Sequence, residues 1–123
     1  MATKRTVDLI TEAFSDVMTA RRKYDLKKPN GDLLKEIYFP PLTRFDRKKA
    51  QVAAGTDDAL TISTKLLCQI AENEDGSKAF HSSDAENLQR FLPESVLNEL
   101  ELFMMDIQVD IDTAKNESGE ITG

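Results

Sequence analysis

The chain has 123 residues, enough for one domain with a single core and too few for two ordinary ones. Its 40% hydrophobic and 31% charged residues fit a soluble globular protein; the longest unbroken apolar run, Leu102 to Met105, excludes a membrane span, and the lone Cys68 excludes an internal disulfide. The net charge of −6 is split, residues 1–50 carrying 12 Lys/Arg against 7 Asp/Glu and residues 51–123 carrying 4 against 15. Such asymmetry suits two solvated faces of opposite sign, a basic arm for nucleic acid, or copies that meet positive end to negative end.

In chain order, "RTVDLITEAFSDVMTARRKY" predicts an amphipathic helix. Thr6 is placed to cap it, Val7, Ile10, Phe14, Val17 and Met18 form its apolar stripe, and Arg21, Arg22 and Lys23 favour its C-terminal dipole. Pro29-Asn30-Gly31 is turn chemistry, with Gly31 free to take positive φ. "KEIYFPPL" is extended, because a residue before proline is pushed out of the helical region.

Thr43 then caps "RFDRKKAQVAA", with Asp46 three residues on in a capping-box pattern and Gly55 ending the helix. Thr56 or Asp57 opens "DALTISTKLLCQIAE", whose apolar face is Ala59, Ile62, Leu66, Leu67 and Ile70, with Cys68 on the less apolar side. "NEDGSKAF" is a turn followed by a few extended residues, and Ser82 or Ser83 starts a short helix. Pro93 stands at the first turn of the closing helix, "ESVLNELELFMMDIQVDI". Residues 113–123 are small, polar and acidic, and are expected to form a flexible tail. The pattern therefore predicts a mainly α single domain over 1–112, a bundle of four to five helices with a short extended segment around residues 36–42.

The closing helix carries two apolar stripes. On a wheel of about 100° per residue, Val96, Leu97, Leu100, Phe103, Met104, Ile107 and Ile111 share one arc, while Leu102, Met105 and Val109 gather nearly opposite. Glu99, Glu101, Asp106 and Asp110 separate the two. Either the N-terminal helix covers the second stripe, or that stripe meets a partner; the pliable methionines favour adaptable contact.

Chemistry-bearing constellations are absent from the pattern. "NEDG" and "DIQVDID" miss the calcium-loop register, His81 has no second ligand at metal spacing, and no glycine-rich phosphate loop occurs. The residues imply no metal, no cofactor and no enzyme. "KKAQVAAGTDDALTISTKLL" has the outline of a helix-turn-helix, with Arg44, Arg47, Lys48 and Lys49 as the nucleic-acid contacts of that alternative. Against it, the second helix would open with Asp57 and Asp58 facing phosphates.

From Ile37 to about Ile111 the layout resembles the tail assembly chaperones of long-tailed (siphovirus-type) bacteriophages. The segments that carry the resemblance are "IYFPPLTRFDRKKAQVAAG", "DALTISTKLLCQIAENEDGSKAF" and "SSDAENLQRFLPESVLNELELFMM". The resemblance implies a non-catalytic protein that binds the tape-measure protein, keeps its apolar helices dissolved and promotes tail-tube polymerisation. It also implies self-association, action in the host cytoplasm and absence from the mature virion, with neither nucleic acid nor membrane as partner. In many members a ribosomal frameshift appends a domain that contacts the tail tube protein, and "AKN", Ala114 to Asn116, is compatible with a slippery run. A chaperone for apolar helices needs uncovered apolar surface of its own. The sequence nominates Leu102, Met105 and Val109, with Tyr38, Phe39 and Phe45 as a second patch.

Overall fold

A computed structural model describes residues 4–106. The chain runs through α1 (Thr6–Ala13), α2 (Ser15–Thr19), β1 (Arg22–Lys27), β2 (Leu33–Phe39), α3 (Arg44–Ala54), α4 (Ala59–Ile70), a 3-10 turn (Ser82–Asp84), α5 (Ala85–Phe91) and α6 (Glu94–Met104). It is mainly α with one small antiparallel hairpin, so the expected helical architecture gains a two-stranded sheet.

The hairpin corrects the expected first helix. Helical structure stops at Thr19, and residues 22–27 are strand. Arg22, Tyr24 and Leu26 alternate with Lys23, Asp25 and Lys27, a period of two that turns one side inward. Tyr24 lies opposite Ile37 and Arg22 opposite Phe39 in the ladder. The five-residue connection closes through the Lys28 N–H on the Asp32 carbonyl at 2.7 Å, with Gly31 at φ +94° as its turn chemistry requires. The exposed edge of β2 does not stay bare, since Tyr38 and Glu72 exchange backbone hydrogen bonds at 2.9 Å. Thr6 is the first helical residue and Arg5 occupies the cap without a side-chain bond, so the expected threonine cap is not formed.

The α3–α4 pair follows the sequence closely. Thr43 Oγ1 accepts from the Asp46 N–H at 3.1 Å while Asp46 accepts from the Thr43 N–H at 3.0 Å. Gly55 ends α3 in the left-handed region, and Asp58 caps α4 by accepting from the Thr61 N–H at 2.9 Å. Helix α4 is the spine of the core, burying Thr64, Leu66, Leu67, Cys68 and Ile70 against Ile37 and Phe39 of β2 and Leu97, Leu100 and Met104 of α6. Cys68 is thus interior, not on an open side.

Helix α6 ends earlier than its sequence pattern. Met105 is its C-cap and Asp106 turns the chain at φ +56°. Arg22 donates to the carbonyls of Phe103 and Met104, so the last turn is satisfied by a cation from β1. Glu101 is buried rather than a charged divider, because it lies about 40° from Leu97 on the wheel and faces α4.

Candidate interaction surface

Pattern, not propensity, makes α1–α2 unusual. Backbone bonds from the Phe14 N–H to Ile10 and from the Met18 N–H to Phe14 carry one nearly continuous helical arm from Thr6 to Thr19. Around it, Val7, Ile10, Phe14, Val17 and Met18 fall within an arc of about 100°, and Asp8, Glu12 and Asp16 gather on the far side. A stripe of this kind ordinarily faces a core. Here none of the arm's residues is buried, and Val7, Ile10, Phe14 and Val17 each keep more than half of their surface open. Leu9 is similarly open and Met18 is 41% exposed. Covering the five side chains of the stripe with a partner would contribute roughly 4 kcal/mol before association costs.

The root of the arm opens onto the core's edge. Val17 and Ala20 line a recess of about 330 Å³ with Pro41, Leu42, Met104 and Met105, so the arm's stripe runs on into apolar surface of the domain. What holds the arm off the domain is the strand that follows it. Arg21 binds the Asn73 and Glu74 carbonyls at 3.0 and 2.8 Å, pairs with Glu72 at 3.3 Å and covers the Tyr38 ring at 4.8 Å. Chain direction is fixed there, and the arm does not lie over α6 as the sandwiched alternative requires.

The residues nominated from sequence scatter. Leu102 is 39% exposed on α6. Met105 packs partly against the core and shows its remainder in the recess at the arm's root. Val109 lies outside the described residues. Tyr38 is half-buried under Arg21, with its hydroxyl donating to Glu36 at 3.1 Å. Phe39 is fully buried and leaves the set, because its side of β2 faces α4 and Phe103. Phe45 is 74% exposed and stands apart from Tyr38 on the outer face of α3. The arm itself was legible as an amphipathic helix; its exposure was not, since an apolar stripe reads the same whether the surface that covers it belongs to its own chain or to another.

Arg44, Arg47, Lys48 and Lys49 are all exposed on α3. The helix-turn-helix alternative needs α4 as the helix that enters a groove, and α4 is instead packed among α3, α5 and α6 with most of its last two turns buried. Among the described residues no three His, Cys, Asp or Glu side chains converge on a metal position. Glu72, just before the "NEDG" turn, is held by Arg21, and within the turn Asp75 accepts from the Ser77 N–H and hydroxyl at 2.9 and 2.6 Å, which holds its carboxyl below the usual range. Buried Glu101 accepts from Thr64 Oγ1 at 2.7 Å, and Gln89 donates to the same oxygen at 3.0 Å. Burial raises the Glu101 pKa, against the opposing hydrogen bond from Thr64.

No family model matches the sequence, and no curated protein matches it. A solved structure, the bacteriophage HK97 tail assembly chaperone, is similar to this chain at 11% identity and a TM-score of 0.46, over 78% of this chain and 97% of that one. A likeness of that size establishes neither a shared fold nor a shared activity.

Proposed function

We propose that this chain is a non-catalytic chaperone of phage tail assembly, which binds the tape-measure protein through its N-terminal arm and keeps the client's apolar helices dissolved while tail-tube subunits polymerise. The uncovered stripe of α1–α2 carries the reading. It is a preformed amphipathic helix with its apolar side open, the surface that pairing with another apolar helix requires. The sequence resemblance from Ile37 onward supplies the class of client. Self-association, a frameshifted extension contacting the tail tube protein, action in the host cytoplasm and absence from the finished virion belong to the same proposal.

Co-expression with the tape-measure protein tests it. Ile10→Asp combined with Phe14→Asp should leave the chaperone folded and send most of the client to the pellet. Leu102→Asp, on a less open and separate stripe, should cost a smaller share of soluble client. A folded double variant that holds the client in solution as well as the unaltered chain does would reject the arm as the site.

A further inference from the structure

We infer that the recess between α4, α5 and α6 is a binding site for one arginine side chain of a partner polypeptide. Its volume is about 370 Å³, toward the small end of the roughly 300–1,000 Å³ in which proteins hold ligands. On α6, Glu94, Leu97, Asn98 and Glu101 line it at helical spacing, so that one stripe carries two carboxylates around an apolar step. Helix α4 contributes Leu60 and Thr64 and brings its cap, Asp58, to the same recess. Leu92, between α5 and α6, adds to the leucine wall.

One group makes this more than an acidic hollow. Glu101 is only 7% exposed, and a buried carboxylate is costly unless it is paired. Its Oε2 accepts from Thr64 Oγ1 at 2.7 Å. Its other oxygen, Oε1, accepts from no described residue, yet is not sealed from the recess. Asp58 and Glu94 share that space, and none of the three carboxylates forms an ion pair with a described residue. The complement of such a site is a cation, and the leucines call for one on an apolar stem. A guanidinium suits best, because its planar fork binds Oε1 and still offers donors to Asp58 or Glu94. The methylenes then lie along Leu60, Leu92 and Leu97. The inference involves neither the arm nor its client and stands apart from the chaperone reading.

Titration of the ¹⁵N-labelled full chain with the peptide acetyl-Gly-Arg-Gly-amide tests it by ¹H–¹⁵N NMR. Saturable shifts are expected at the Leu60, Thr64 and Asn98 amides and at the Gln89 and Asn98 side-chain amides, with half-saturation at about millimolar peptide. The peptide with norleucine in place of arginine should give none, and the lysine peptide should bind several-fold more weakly. Glu101→Gln, which keeps an acceptor for Thr64, should weaken binding about tenfold. Leu60→Ser, at an exposed position, should weaken it about threefold, and reads the same site if the first variant unfolds. Shifts that never saturate and spread over exposed carboxylates, equal shifts with the norleucine peptide, or undiminished affinity in a folded Glu101→Gln or in Leu60→Ser each overturn the inference. Concentrating the chain without peptide names the source of the arginine. The same resonances move if it is Arg44 or Arg47 of a second copy, both exposed and without an ion pair among the described residues, and stay fixed if it belongs to another protein.

Discussion

Arg22 reaches across 81 positions of sequence to donate to the Phe103 carbonyl, binds the Met104 carbonyl at 3.1 Å, lies 4.5 Å from the Phe103 ring centroid and pairs with Asp106 at 3.6 Å. Arg22→Ala should therefore lower unfolding stability by about 1–2 kcal/mol in urea denaturation, and Arg22→Lys should recover only part, since an ammonium cannot fork to two carbonyls while stacking on a ring. Glu101 acts in the other direction. Its pKa is raised by burial, so the native state holds the proton more tightly than the unfolded chain. Its stabilising contribution is present below the ordinary carboxylate pKa and is lost as pH rises through the raised value. Glu101→Gln, which keeps an acceptor for Thr64, should raise the urea midpoint at pH 7 and flatten the wild-type decline that sets in above the ordinary carboxylate pKa. Burial likewise pushes the Cys68 thiol up to about 11. Cys68 should resist thiol reagents at pH 8 in the native chain and react at once in denaturant; rapid native labelling would contradict its interior position.

At the scale of elements, α3 depends on a local device. Thr43→Ala and Asp46→Ala each remove one arm of the reciprocal cap and should each cost about 1 kcal/mol, with the double variant costing less than the sum because the two bonds share one helix end. The α3 boundaries were legible for that reason, since Thr43, Asp46 and Gly55 act on their own neighbours, whereas the start of α4, expected at Thr56 or Asp57, is set by the Asp58 cap. The hairpin was present in the same sequence but outweighed. Tyr24, Asp25, Leu26 and Lys27 alternate on one side of Pro29-Asn30-Gly31, and Ile37, Tyr38 and Phe39 do so on the other. Helical spacing in Val7 to Met18 invited the first helix to run on, although alternation had already begun at Arg22. The Arg21–Lys23 cluster does serve a helix C-terminus through Arg22, but the helix is α6.

For the whole molecule, the arm and the core are energetically separate. Ile10→Asp with Phe14→Asp should shift stability by no more than about 0.5 kcal/mol, because neither side chain is buried, whereas Leu67→Ala in the spine should cost about 2–5 kcal/mol. Urea titrations of the two variants check that separation, and equal losses would mean that the arm packs on the domain in solution. The sequence by itself determined the Pro29–Gly31 turn, the reciprocal cap of α3 and the amphipathic character of α1, α3 and α4, since these arise from interactions between residues a few positions apart. Only the tertiary structure decided which apolar stripes are covered. Burial depends on where other elements arrive: Arg21 and Arg22, anchored to the 72–76 turn and to the end of α6, turn the chain into a strand and leave the arm open.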